Sequence, residues 1–416
     1  MLYDVIIVGG GIIGLTTAYY LYKNGFKVSI LERGRLGCEA SRNNAGFIVP
    51  SMYSPLPLEA SIANLIKWIL SRKSPVWVSA KELFNNWRWF MHFLTAKSNI
   101  DPAACRTIRK LCRDSLNEYT KLIDTYGIDC DLRKGCILEV YSDKGDFEEA
   151  KLFVGRLWSE GFNVKVLSNE EIYEIEPELN RILVGGLLYE EDLLVDSAKF
   201  INGLSKVIKS LGIDICEHTE VTKILARNDI VSVYTGIATR LDARYVVISA
   251  GPWSIQLLKN LGLNLLMRPA RGYTITLSKS SKRLNNAIFI HDIHEVVLSR
   301  SDGAVKVSSI LEFMGFNKDI SVSKATWMVN SAAKYIPYIK ELSIEDIWVG
   351  LRPCTADGIP VIGKIPGYDN IILATGHCRF GLTFSILTAK LITDILKGKA
   401  KSNILKIFSP MRMISS

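Results

Sequence analysis

DVIIVGGGIIGLTTAYYL, residues 4–21, places Gly9, Gly10, Gly11 and Gly14 between a β-branched run and a helix-patterned one. The run YDVIIV has the composition of a strand buried on both faces of a parallel sheet. The following IIGLTTAYYLYKNG carries apolar residues at helical spacing, at Ile13, Thr17/Ala18 and Leu21, and stops at Gly25. A second apolar run, KVSILERG, contains Glu32 at its end. Strand, glycine turn, helix and strand within about thirty residues make a βαβ unit.

Within it, Gly9-x-Gly11-x-x-Gly14 matches the dinucleotide fingerprint. Gly9 permits the tight turn, Gly11 admits a pyrophosphate to the backbone, and Gly14 lets helix and strand pack closely. The helix N-terminus then faces the phosphates. Glu32, 18 residues beyond Gly14, is placed to accept both ribose hydroxyls, and its charge disfavours the 2′-phosphate of NADP. The next segment, GCEASRNNAGFIVPS, is polar and turn-rich rather than a further βα unit. Its Ser41, Asn43, Asn44, Ala45 and Gly46 suit backbone packed against a flat polar ring, but a surface loop has the same composition. On these residues alone FAD and NAD both stay open.

A chain of 416 residues has room for two domains, and 48% hydrophobic with 22% charged residues is ordinary for a globular protein. No apolar run reaches the length of a membrane span, and the N-terminus does not read as a signal peptide, so a cytoplasmic location is expected. The net charge of +9 is scattered, with no basic run of five, which points to a solvated surface rather than to nucleic acid. The eight cysteines show no metal-ligand spacing and read as mostly buried thiols, with a disulfide as the exception; no metal is expected.

Residues 56–125 are rich in helical and aromatic patterns (LEASIANLIKWIL, AKELFNNWRWFMHFL, ACRTIRKLCRDSLNEYTKLIDTYG). They read as a helical subdomain core, with a membrane-surface or partner-facing patch as the alternative. A helix at 146–160 lies between strands, and Asp196 or Ser197 caps a helix that follows. YVVISAG, ending in Gly251, and NIILATG, ending in Gly376, are further apolar strands, the latter leading through GHCRFG into an apolar-striped helix. The fold expected is α/β with two domains. Residues 1–55, 191–265 and 346–416 form a discontinuous Rossmann-like domain. Residues 56–190 and 266–345 form an interleaved substrate domain of mixed sheet and helices.

SAGPWS, GLRPCTADGIPVIG, TGHCRFGLT and the Asn-Ala-Gly loop together resemble the D-amino-acid oxidase/glycine oxidase family of FAD enzymes, and within it the D-amino acid dehydrogenases. The resemblance implies a glutathione-reductase-like FAD domain. Gly9, Gly11, Ile12, Ile13 and Gly14 would hold the pyrophosphate, Glu32 and Arg33 the adenosine, and Val221 the adenine through its backbone. Ser41, Asn43, Asn44, Ala45 and Gly46 would line the flavin, with Ala250, Gly251, Trp253 and Gly350 nearby. Gly376, His377, Arg379, Phe380, Gly381, Leu382 and Thr383 would cap its pyrimidine, His377 in a packing role. Arg352 would fork onto the substrate carboxylate, with Arg379 and Tyr273 bordering the pocket and His291 and Arg300 as further pocket residues. Cys354 and Cys378 fall near the site but not where covalently flavinylated members carry their cysteine. The implied activity is oxidative deamination of an amino acid, with a quinone or other acceptor and a peripheral membrane contact. The alternatives are a relative acting on glycine, sarcosine or proline, or a non-catalytic FAD subunit.

Overall fold

The computed structural model describes residues 2–59, 76–227, 229–236 and 239–415. The helix expected from LEASIANLIKWIL, with Trp68, lies outside them beyond the short helix Leu56–Glu59.

Val5, Ile6 and Ile7 are fully buried, as the β-branched run requires for a central parallel strand. Strand Leu2–Val8 runs parallel between Val28–Leu31 and Arg240–Ile248, and the latter pairs in parallel with Ile371–Thr375. Asp214–Cys216 extends the parallel set beyond Val28–Leu31. Antiparallel strands Val221–Arg227, Ile230–Thr235 and Val361–Lys364 complete an eight-stranded sheet. Because the central strands share one direction, their carboxyl ends lie along one edge. The loops at 9–11, 32–34, 249–253 and 376–380 therefore leave from the same side, where ligands of open α/β sheets bind.

Gly9 has φ +108°, a left-handed turn that a side chain would strain. At Gly14 a Cβ would lie 1.9 Å from the Gly9 carbonyl oxygen, so the helix can approach its own turn only without one. Helix Ile12–Lys23 follows and lies beside Gly381–Leu396, the Thr16 hydroxyl donating to the Ser385 carbonyl at 3.1 Å. Leu15, Phe384, Ile386 and Leu204 share the core on that face. Asp196 caps helix Ser197–Ser210, its carboxylate accepting from the Lys199 amide.

A second, nine-stranded sheet runs from Ile344–Thr355 through Met267–Lys279, Ala304–Phe313, Glu295–Ser299, Ala287–Ile290, Ile137–Tyr141 and Gly185–Tyr189 to Val164–Ser168, with Val76–Val78 beside Ala304–Phe313. Helix Val322–Ala332 and Ile336 and Ile339 cover one face. One expected boundary shifts. Strand Ile344–Thr355 pairs with Met267–Lys279 as far as Met267 opposite Thr355, so residues 346–355 belong to this sheet and the chain rejoins the first sheet only afterwards. Helices Trp87–Asn99, Pro102–Arg113 and Leu116–Tyr126 bury Trp89, Phe90, Phe93 and Tyr119.

Candidate active site

The first glycine turn opens a cleft at the sheet edge, lined by Gly9, Gly11, Ile12, Ile13, Glu32, Arg33, Ser41, Asn44, Val221, Ala250, Gly251 and Trp253. Helix Ile12–Lys23 has Gly11 at its N-cap with no side-chain cap and no acid in its first turn; the Ser41 hydroxyl accepts from the Ile12 amide. Glu32 accepts from the amides of Gly10 and Gly34, each at 2.7 Å. Its two oxygens offer about four lone-pair sites, so acceptors for ribose hydroxyls are still available. The Arg33 guanidinium stacks on Trp253, 3.6 Å from the ring centroid.

The second turn, residues 376–380, meets the same cleft through His377, Cys378 and Arg379, and Gly381 follows them there. Helix Gly381–Leu396 likewise begins with neither a side-chain cap nor an acid in its first turn. Two helix N-termini whose N-cap residues give no side-chain cap thus border one cleft with their positive dipole ends. Phe380 packs edge-on against Tyr53, Leu382 is core, and the Thr383 hydroxyl accepts from the Val49 amide. Burial pushes His377 down to about 3, and its Nε2 meets the Thr388 hydroxyl at 3.0 Å. It also packs edge-on against Phe384.

Arg352 lies where the second sheet borders the cleft. Gly272, diagonal to it on the neighbouring strand, supplies its seat: a Cβ there would come within 2.5 Å of the guanidinium carbon. Gly350 does the same for Trp348, whose ring would be 2.0 Å from an added Cβ. Trp348, Gly350 and Arg352 alternate onto one face of their strand. Neither Trp348 nor Gly272 was anticipated, although the alternation in WVGLR carries the signal for the former. Burial, and then the charge of Arg379, push the Arg352 guanidinium down to about 10, still cationic at neutral pH. Both guanidiniums line the one cleft.

Tyr273 is placed elsewhere. It lies opposite Val349, on the face away from Gly272 and Gly350, fully buried with Ile275 and Met328, and its hydroxyl accepts from the Ser321 amide. A period-2 strand cannot present Gly272 and Tyr273 to the same side. His291 pairs with buried Glu139 at 2.8 Å and stacks on Tyr141. Burial alone would lower His291, but the hydrogen bond and charge of Glu139 raise it. His294 lies beside it, the two ring centroids 5.6 Å apart.

Arg300 lines a separate cavity with Ala45 and Lys306, and pairs with Asp196 and Asp302. The Lys306 ammonium donates to the Asn44 carbonyl at 2.8 Å, and the Thr274 hydroxyl donates to that of Asn43. The Asn44 side chain accepts from the Gly46 amide. The second sheet thus anchors the 43–46 loop from behind. Burial pushes Lys306 down to about 8. That anchor was not legible in the sequence, since Lys306 sits on a strand far from the loop.

The glycine cradle at 9–14, the two helix N-termini and the free acceptor sites of Glu32 fit a dinucleotide whose anionic parts need amide donors. A family profile described as FAD dependent oxidoreductase, DAO, matches residues 4–395. Over 404 residues the chain is 28% identical to the D-amino acid dehydrogenase of Bradyrhizobium diazoefficiens, covering 95% of each chain. It is 27% identical to that of Agrobacterium fabrum, covering 95% of this chain and 96% of the other. Glycine oxidase from Geobacillus kaustophilus shares the fold, with a TM-score of 0.81, 24% identity and 99% of both chains covered. The chain belongs to the DAO family of FAD-dependent oxidoreductases.

Proposed function

We propose that the protein is a D-amino acid dehydrogenase, converting a D-amino acid through an imine to a keto acid and ammonia and passing the electrons to a quinone or dye. The observation that carries this reading is Arg352, seated over Gly272 beside the cleft with Arg379 nearby. The relatives named D-amino acid dehydrogenase, aligned over nearly the whole chain, support the substrate class. When bound, FAD supplies the two-electron acceptor for the hydride leaving Cα.

The chain's own residues bind and orient. Gly9, Gly11 and the amides at the start of helix Ile12–Lys23 would hold the pyrophosphate, and Glu32 the ribose, all of them lining the cleft. The amides opening helix Gly381–Leu396 offer positive potential at the other end of the cofactor. Arg352 receives the substrate carboxylate with its planar fork, and Arg379 adds a second positive charge. Fixing the carboxylate fixes Cα, and near-attack positioning is the main contribution asked of the protein.

No helix among the described residues is long and apolar enough to cross a membrane. A surface contact is another matter. Phe84, Trp87, Met91 and Leu94 are exposed at spacings of three and four along Ala80–Asn85 and Trp87–Asn99, among Lys81, Arg88 and Lys97. This apolar and basic stripe suits the edge of an anionic membrane, where a quinone would be met.

Anaerobic addition of separate D- and L-amino acids, followed at about 450 nm where oxidised flavin absorbs, tests the reading. Bleaching by D-amino acids is expected. Bleaching by glycine, sarcosine or proline alone would move the assignment within the family, and a yellow protein that no amino acid bleaches would make it a non-catalytic FAD subunit. Co-sedimentation with vesicles containing phosphatidylglycerol is expected, and its persistence in Phe84→Ser/Trp87→Ser would refute the membrane contact.

A further inference from the structure

Cys354 and Cys378 form a disulfide, and it joins the two halves of the site. Cys354 lies next to the end of the second-sheet strand that carries Arg352, and Cys378 lies in the turn that carries Arg379. The crosslink is reinforced locally. The Cys378 amide donates to the Pro353 carbonyl at 2.8 Å, and Cys354 and His377 form an isolated β-bridge. On the outer side, the Trp89 indole donates to the Cys354 carbonyl at 3.2 Å. Cys378 has φ +44°, a left-handed conformation that residues with a Cβ rarely adopt, and the surrounding contacts hold it there.

We infer that the Cys354–Cys378 disulfide is a positioning element that holds Arg352 and Arg379 at a fixed separation around the substrate carboxylate, so that its reduction loosens carboxylate binding. Through the bridge, Arg352 and Arg379 are connected by Pro353, Cys354 and Cys378 alone, instead of by the whole intervening hairpin and strand. Without the bridge, the turn that carries Arg379 could drift relative to the strand that carries Arg352. A covalent tie opposes the drift. Pro353 stiffens the same segment by fixing φ. The pyrophosphate cradle lies on the other turn and has no covalent link to the bridge, so cofactor retention is not expected to depend on it. The inference rests on the proposed role of Arg352 as the carboxylate ligand.

The test uses the FAD-loaded protein and benzoate, an unreactive carboxylate, with its Kd read from the perturbed flavin absorption. Thiol titration after denaturation is expected to give six thiols before reduction and eight after it, in line with six free cysteines among eight. Reduction of the folded holoprotein by a phosphine is expected to raise the benzoate Kd about tenfold with FAD retained. Cys354→Ala/Cys378→Ala is expected to show the same weakened Kd and no response to phosphine. If that variant does not fold, the reduced wild type alone decides. Eight thiols before reduction, or an unchanged Kd with a lowered Tm, would overturn the inference, the latter showing a staple without a positioning role. Failure of benzoate to perturb the flavin in the oxidised wild type would instead sink the carboxylate-site reading beneath it.

Discussion

At the first glycine turn, most of what fixes the backbone comes from the surrounding thirty residues. The Gly9 amide donates to the Leu31 carbonyl, Gly10 to Glu32, and Gly14 packs against Gly9 itself. The second turn is held from outside. Gly376 meets the Thr355 side chain, and Cys378 bonds Pro353 through its amide and Cys354 through sulfur. The first turn is mostly local, with Ser249 of a neighbouring strand end adding a hydroxyl that donates to the Gly9 carbonyl. The second exists only where two sheets meet. Under the proposed function both turns serve the cofactor, and the second, through its tie to the strand of Arg352, also sets substrate geometry.

The sharpest break in that comparison is Gly14→Val. Its side chain would collide with the Gly9 carbonyl, and purified protein is expected to lack the yellow flavin spectrum altogether. Arg352→Ala acts on the other side: FAD stays bound, while kcat/KM falls by the equivalent of about 2–5 kcal/mol, as for loss of one partner of a desolvated charge pair. A colourless Arg352→Ala protein would show that Arg352 serves the cofactor rather than the substrate. Gly272→Ala adds only a methyl group, but it adds it 2.5 Å from the guanidinium carbon. KM is expected to rise about tenfold with kcat nearly constant, as when ground-state and transition-state binding weaken together.

The smallest effect lies away from both turns. The Glu139 carboxylate raises His291, so this pair stabilises fully below the ordinary histidine value and loses that contribution as pH climbs through the raised one. Glu139, although burial opposes it, is held below its ordinary value mainly by His291, so the pair also fades as pH falls through that lowered value. His291→Gln is therefore expected to lower Tm by about 2 °C at pH 6 and by less at pH 9. A deficit that grows with pH would contradict the pairing.

The same contrast explains what could be read from sequence. The first turn was legible because strand, glycines, helix and acid follow one another within one unit. The second was legible only as a glycine before an apolar helix. Cys354 and Cys378 are 24 residues apart with no redox spacing, so nothing local announced their bond. Tyr273 is expected at the pocket, yet it lies in the core of the second sheet; Gly272 beside it meets the Arg352 guanidinium, and adjacent strand residues point to opposite faces. Lys306 was invisible for a similar reason: its contact with the 43–46 loop depends on how the sheets dock. Motifs closed within one unit announce themselves; those completed by a second sheet do not.

The most direct measurement of the central claim is a benzoate titration of the oxidised holoprotein, comparing wild type with Arg352→Ala. If both turns and the Arg352 guanidinium address one flavin, benzoate perturbs the wild-type flavin spectrum, and Kd rises at least about tenfold in the variant while its FAD is retained. An equal Kd in the two proteins, with the flavin spectrum perturbed in both, would contradict it.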